Sequence, residues 1–304
     1  MELLQKLCAI HAPSGDELAM TEFVLRYIEE NKKNWKHKPK VYFGGPLQDA
    51  IVLSFGKPRT AIFAHMDSIG FTVRYGNQLV KIGGPVLDNG IKLVGHDALG
   101  PVEATLNTPE KAAFIQFDAN REIERGTNLT FKPDFRDTEE FVQCCYMDNR
   151  LGVWVALKVA ETLKNGLVVF SCREEHSGGS TAYLGKWIFE KFKVHQALIS
   201  DITWVTEGVD HGKGVVVSMR DSGLPRRSFL NRIIDLAKKS GIPFQLEVEG
   251  SGGSDGIELQ RGADPWEWCF VGAPESNVHS PDEKVHKDDI QSMVELYRWL
   301  MKEL

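Results

Sequence analysis

The sequence predicts an α/β fold interrupted by a β-rich insertion. Two observations carry this. Before residue 72 and after residue 141, helix-period stretches alternate with short apolar runs that lack polar alternation, as in strands covered on both faces. Between roughly Phe71 and Cys145 the texture changes to short alternating segments separated by Gly, Pro, Asn and Asp, with no helical period. The chain therefore divides into an α/β body, 1–72 and 141–304, and an inserted barrel or sandwich, 73–140.

Met1 to Ser14 is a short amphipathic stretch. A helix is expected from Asp16 to about Glu30, capped by Ser14, with Asp16 and Glu17 in its first turn. Strands follow at Val41–Phe43, Ala50–Phe55 and Thr60–Ala64. In the insertion, Leu79–Ile82, Val102–Leu106, Ala113–Phe117 and Leu129–Phe131 alternate as half-buried strands do. Asn149–Lys164 is apolar over most of its surface, which predicts a largely buried helix. Leu167–Cys172 reads as a central strand, Thr181–Phe192 as a helix, and Gln196–Ser200 and Val215–Met219 as strands. Ser228–Lys239 is an amphipathic helix closed by Gly241, with Pro243 beyond it. Strands at Phe244–Val248 and Trp268–Val271 and a helix over Asp289–Glu303 complete the body.

Composition narrows the function. With 304 residues, 42% of them apolar, the chain can bury a large core. A net charge of −6 without a basic stripe argues against nucleic acid as a partner. The N-terminus lacks the pattern of a secretory signal, and no window has the apolar length of a membrane span. Cys8, Cys144, Cys145, Cys172 and Cys269 are odd in number and scattered, which fits free thiols in a reducing compartment, most simply the cytoplasm.

Five acidic or histidine clusters fall at or near the ends of expected strands: His65 with Asp67, Asp148, Glu174 with Glu175, Asp201, and His279. Ligand crevices in open α/β sheets lie outside the carboxyl ends of strands. Taken singly, each has a bland explanation: a solvated histidine, a helix cap, an exposed acidic face. Their joint placement points to divalent metal. A lone aspartate suits a bridge between two cations. His65 and Asp67, two apart in extended backbone, share a face, so Asp67 can orient the imidazole. Of two adjacent glutamates, one can ligate while the other moves a proton. Nitrogen and oxygen ligands without thiolate fit zinc, cobalt or manganese.

These residues carry a resemblance. AHMDSIGF (64–71), DNRLG (148–152), the glutamate pair 174–175, SDIT (200–203), GGSDG (252–256) and HSPDE (279–283), with APSGDE (12–17) before them, resemble the tetrahedral aminopeptidases, a dinuclear metallo-aminopeptidase family that includes glutamyl aminopeptidases and endoglucanase-like members. The match runs in order along nearly the whole chain. It implies a mixed-sheet α/β/α metallopeptidase domain with a small inserted β-barrel-like domain that serves dimerisation, and hence a homo-oligomer. It implies two divalent ions, zinc first. His65 and Asp201 would hold one, Glu175 and His279 the other, and Asp148 would bridge, with Glu174 as general base and Asp67 supporting His65. Substrates would be short peptides with a free N-terminus. The chain departs from the family in the segment after the glutamate pair, where V-G-x-R-G-A is usual and His176–Thr181 reads HSGGST, and in a shorter insertion.

Three other readings compete. Aminoacylases and carboxypeptidases share the ligand pattern and would make the chain a metal-dependent deacylase or amidase on N-acylated amino acids. They carry their extra domain between the fourth and fifth ligands. Here the β-rich texture fills the 83 positions from His65 to Asp148, whereas the 78 from Asp201 to His279 are consumed by the body. A glycosidase would need two separated carboxyls flanking a sugar bond rather than adjacent glutamates with histidines. A non-catalytic metal-binding scaffold has no reason to keep Glu174.

Overall fold

The computed structural model describes residues 1–108, 114–176 and 178–304. Two helices, α1 (Glu2–Cys8) and α2 (Leu18–Asn31), precede three strands, β1 (Lys40–Phe43), β2 (Ile51–Phe55) and β3 (Ala61–His65). Six strands then form a separate unit: β4 (Gly70–Val73), β5 (Gln78–Ile82), β6 (Lys92–Asp97), β7 (Gly100–Asn107), β8 (Ile115–Ala119) and β9 (Asn128–Phe131). Short β10 (Arg136–Asp137) and β11 (Phe141–Gln143) lead back to α3 (Met147–Ala160), β12 (Gly166–Ser171), α4 (Thr181–Phe192) and β13 (Gln196–Trp204). The rest is β14 (Val215–Ser218), α5 (Arg227–Ser240), β15 (Phe244–Glu247), α6 (Asp255–Arg261), β16 (Glu267–Ser276), β17 (Lys284–His286) and α7 (Lys287–Glu303).

The body is a mixed sheet in the order β1-β2-β12-β3-β13-β16-β17-β11-β10, with β14 paired to β16 and β15 added beyond β14. Strands β12, β3, β13 and β16 are parallel neighbours. Every residue of β2, β3 and β12 is buried, which explains their nearly continuous apolar runs. Helices α3 and α7 pack on each other and on β13, β3, β14 and β16, while α4 and α6 form a second packed pair. Strands β4 to β9 close into a barrel, β4-β5-β8-β7-β6-β9. Along β7, Val102, Ala104 and Leu106 point inward between more exposed neighbours, the period of two that the sequence displays. Phe131 of the barrel stacks on Tyr146 at 6.2 Å, and the Tyr146 hydroxyl donates to the Phe131 carbonyl at 3.1 Å. The barrel is thus fastened two residues before Asp148.

Some expectations need correction. Ser14 caps no helix. Its hydroxyl donates to Asp67, and α2 begins only after Glu17, whose carboxylate is taken by the amides of Gly15 and Arg173. Strands β13 and β16 run four or five residues beyond their apolar runs because the two pair in parallel over nine registers, through Asp201 to Trp204. The expected strand Ala113–Phe117 begins outside the described residues at Ala113, and β8 takes up from Ile115. Helix α5 ends at Gly241, with φ of 71°, as its sequence indicated. All five cysteines are buried and free. Among the described residues no helix is long and apolar enough to cross a membrane.

Candidate active site

The carboxyl ends of β3, β12, β13 and β16 open onto one cavity of about 290 Å³, and His65, Asp148, Glu174, Glu175, Asp201 and His279 all line it. His65 is the last residue of β3, the glutamates follow β12, Asp201 lies within β13 and His279 follows β16. Asp148 comes from the start of α3, where its backbone is not helical.

The DNRLG string explains that start residue by residue. Asn149, not Asp148, acts as the cap: its Oδ1 accepts from the Gly152 amide at 2.9 Å. Its Nδ2 donates to the Ser200 carbonyl at 2.8 Å, tying the helix start to β13 beside Asp201. The fully buried Arg150 donates to the Ala12 carbonyl at 3.3 Å. Gly152 packs directly against Ser200; a Cβ there would lie 2.2 Å from its carbonyl oxygen. Asp148 is thereby left free to face the cavity.

Its two oxygens face two different histidines. His65 Nε2 lies 3.1 Å from Asp148 Oδ1, and His279 Nε2 lies 3.3 Å from Oδ2. Asp201 Oδ2 is 3.6 Å from His65 Nε2, and Glu175 Oε2 is 3.1 Å from His279 Nε2. Two metal-sized clusters result, His65–Asp148–Asp201 and Asp148–Glu175–His279, each with ligand atoms within 4.8 Å of one another and sharing Asp148. Glu174 Oε2 stands 3.9 Å from His65 Nε2 and belongs to neither cluster.

Asp67 is fully buried behind this set. Its Oδ1 faces His65 Nδ1 at 3.4 Å, and its oxygens accept from the amides of Glu174 at 3.0 Å and Glu175 at 3.1 Å. One carboxylate therefore positions three of the candidate residues. Glu283 does similar work: Oε2 accepts from the Asp148 amide at 3.1 Å and Oε1 from the His279 amide at 3.0 Å. It holds His279 in a left-handed backbone conformation, φ 62°. Sequence reasoning gave Glu283 no role, although the HSPDE string contains it. Asp255, within GGSDG, is likewise structural. Its oxygens take the hydroxyls of Ser171 and Thr181, joining β12 to α4. In the departing segment, His176 Nδ1 accepts from the Gly83 amide at 3.1 Å on the barrel side of the site; Ser177 lies outside the described residues.

The electrostatics show what the cluster lacks. Burial raises Glu174 and Asp201 well above the usual carboxylate range, helped by mutual repulsion with the other carboxylates, though His65 opposes it. Burial lowers the His279 pKa, but bonds to Asp148 and Glu175 outweigh it and push it up to about 12. His65 is raised for the same reason, by Asp201, Asp148 and Asp67 against its burial. Glu175 Oε1 is buried without a hydrogen-bond partner. A buried set of carboxylates that draws protons onto its histidines and leaves an acceptor unmet is short of positive charge. Two nitrogen-and-oxygen clusters sharing one carboxylate fit divalent ions.

The profile of the M42 glutamyl aminopeptidase family matches residues 113–296. A provisionally assigned aminopeptidase of Acetivibrio thermocellus is 26% identical over 97% of this chain and 96% of its own length. Among solved structures, the TET aminopeptidase of a marine-sediment Thaumarchaeota archaeon superposes with a TM-score of 0.87 at 18% identity, covering 100% of this chain and 97% of that one. The Pyrococcus horikoshii TET1 peptidase, which assembles into a tetrahedron or a large octahedral shell, does so with 0.84 at 22% identity, covering 100% and 99%. The structural matches establish the shared fold, and the profile match over more than half the sequence establishes that this chain belongs to the M42 glutamyl aminopeptidase family and is a peptidase.

Proposed function

We propose that the chain is a dinuclear-metal aminopeptidase that removes the N-terminal residue of short peptides. The observation that carries this is Asp148, whose two oxygens face the two histidines of separate clusters at 3.1 and 3.3 Å. His65, Asp148 and Asp201 would hold one divalent ion and Asp148, Glu175 and His279 the other. Zinc suits the donors best, and cobalt and manganese are served by the same types. Bound there, the ions would polarise a substrate carbonyl and acidify a water.

The chain's own residues do the rest. Glu174 lies in the cavity, outside both ligand clusters, and burial raises its pKa, which makes the ionised carboxylate a stronger base. It takes a proton from the attacking water and delivers it to the leaving amine. Asp67 keeps the His65 ring in one orientation and fixes the Glu174 and Glu175 backbone from beneath. A free α-amine of the substrate would lie against these clusters and a blocked one would not, which would confine cleavage to the N-terminal residue. Five buried free thiols fit a cytoplasmic setting, and the inserted barrel provides the surface for a homo-oligomer.

Glu174→Gln tests the assignment. It keeps the shape and removes the base. Metal content is expected to stay near that of the parent while kcat falls by roughly two orders of magnitude. Unchanged turnover would remove Glu174 from the mechanism, and loss of metal would make it a ligand instead.

A further inference from the structure

The cavity continues past the metal clusters to a second wall. It is built by Thr203 and Trp204 at the end of β13, Phe270 on β16, and three carboxylates, Asp221, Glu247 and Glu249. The parallel pairing of β14 with β15, which sets Ser218 opposite Glu247, brings these acids together from segments far apart in sequence.

Glu247 and Asp221 are well sealed and Glu249 is half-buried. Glu247 is 4% exposed and Asp221 9% exposed. Their hydrogen bonds come from neutral groups. Thr203 donates to Glu247, the Thr206 hydroxyl to Glu249 at 2.9 Å, and the Gly223 amide and Ser254 hydroxyl to Asp221. The nearest guanidinium, that of Arg220, donates instead to the Asp221 main-chain carbonyl at 3.1 Å. Among the described residues none of the three forms a salt bridge, and the Arg220 charge acts on Asp221 only as the smallest of its influences. Burial raises both Glu247 and Asp221 above the usual carboxylate range, and Glu249 adds to the effect on Glu247. Nor do the three fall within either metal-sized cluster among the described residues. Unlike Asp255 and Glu283, which meet neutral donors inside the fold, these three face the cavity, where a cationic group of the substrate can reach them.

We propose that this wall selects peptides whose N-terminal residue is lysine or arginine. Phe270 and Trp204 cover the aliphatic stem, and Asp221, Glu247 and Glu249 receive the charged head. A glutamyl side chain would meet three like charges in a low-dielectric wall and be rejected, despite the family's glutamyl description. This inference rests on the aminopeptidase reading.

The test is kcat/KM on one series of aminoacyl amides with a common fluorogenic leaving group, carrying Lys, Arg, Leu, Met or Glu. The wall predicts Lys or Arg ahead of Leu and Met by at least about tenfold, and Glu about a hundredfold or more below Lys. Glu247→Gln should cut the Lys-to-Leu ratio at least about tenfold, chiefly through KM. Because Glu247 also holds Thr203, the less buried Glu249→Gln is made in parallel and should move the ratio the same way. Faster cleavage of Leu, Met or Glu than of Lys overturns the specificity and leaves the aminopeptidase standing. Equal losses on every substrate in both variants would also overturn it, by making the wall structural. No cleavage of any member overturns both readings.

Discussion

Gly152→Ala puts the packing beneath the site under direct strain. An added Cβ would sit 2.1 Å from Asn149 Oδ1 and 2.2 Å from the Ser200 carbonyl oxygen, so about 1 Å of movement is needed to reach ordinary contact. Ser200 cannot yield readily, because β13 is paired with β3 on one side and β16 on the other. Asn149 can swing away only by giving up its bonds to the Gly152 amide and the Ser200 carbonyl. Overpacking costs about 1–3 kcal/mol and two buried hydrogen bonds about 1 kcal/mol each, giving about 3–5 kcal/mol. The displaced groups flank Asp148 and Asp201, so metal affinity should fall with stability. Denaturant titration alongside metal-binding calorimetry reads both. Gly250→Ala is the control, since its Cβ meets nothing within 4 Å; it should stay within about 0.5 kcal/mol of the parent. A Gly152→Ala protein as stable as that control, with parental metal affinity, would refute the reasoning.

Two further perturbations probe the supports of the site. Glu283→Gln replaces one of two acceptors with an NH2 group facing the amide of Asp148 or His279, and should weaken metal binding by about 10–100-fold in calorimetry with little change in far-UV dichroism. Glu17 is raised by burial, and then by Asp67, to about 7 from an ordinary 4.5. Its contribution to stability is complete below about pH 4.5 and lost as pH rises toward 7, an upper bound of about 3 kcal/mol. In the presence of chelator, Glu17→Gln should therefore flatten the fall in stability between pH 4.5 and 7, and an unchanged slope would show that Glu17 titrates normally.

The sequence displayed what repeats locally. Nearly continuous apolar runs gave the buried strands β2, β3 and β12, and alternation marked the barrel strand β7. Acidic and histidine residues at run ends located the cluster, because a parallel sheet delivers such ends to one side. Three-dimensional partners were hidden. Ser14 has the chemistry of a cap, yet a buried carboxylate 53 residues away takes its hydroxyl. Glu283 acts on main-chain amides, which leave no mark in the sequence. Helix α6 has only seven residues and starts in a Gly/Ser-rich stretch, too short for a period to emerge. The acidic wall depends on the β14–β15 register, so nothing local in the sequence brings Asp221 and Glu247 together.

The central claim is metal-dependent release of the first residue. Short peptides with free and N-acetylated termini, assayed with and without a chelator for liberated amino acid, test it most directly. The account predicts release only from the free-amine peptides and only without chelator. Cleavage confined to the acylated peptides, or cleavage that survives the chelator, would contradict it.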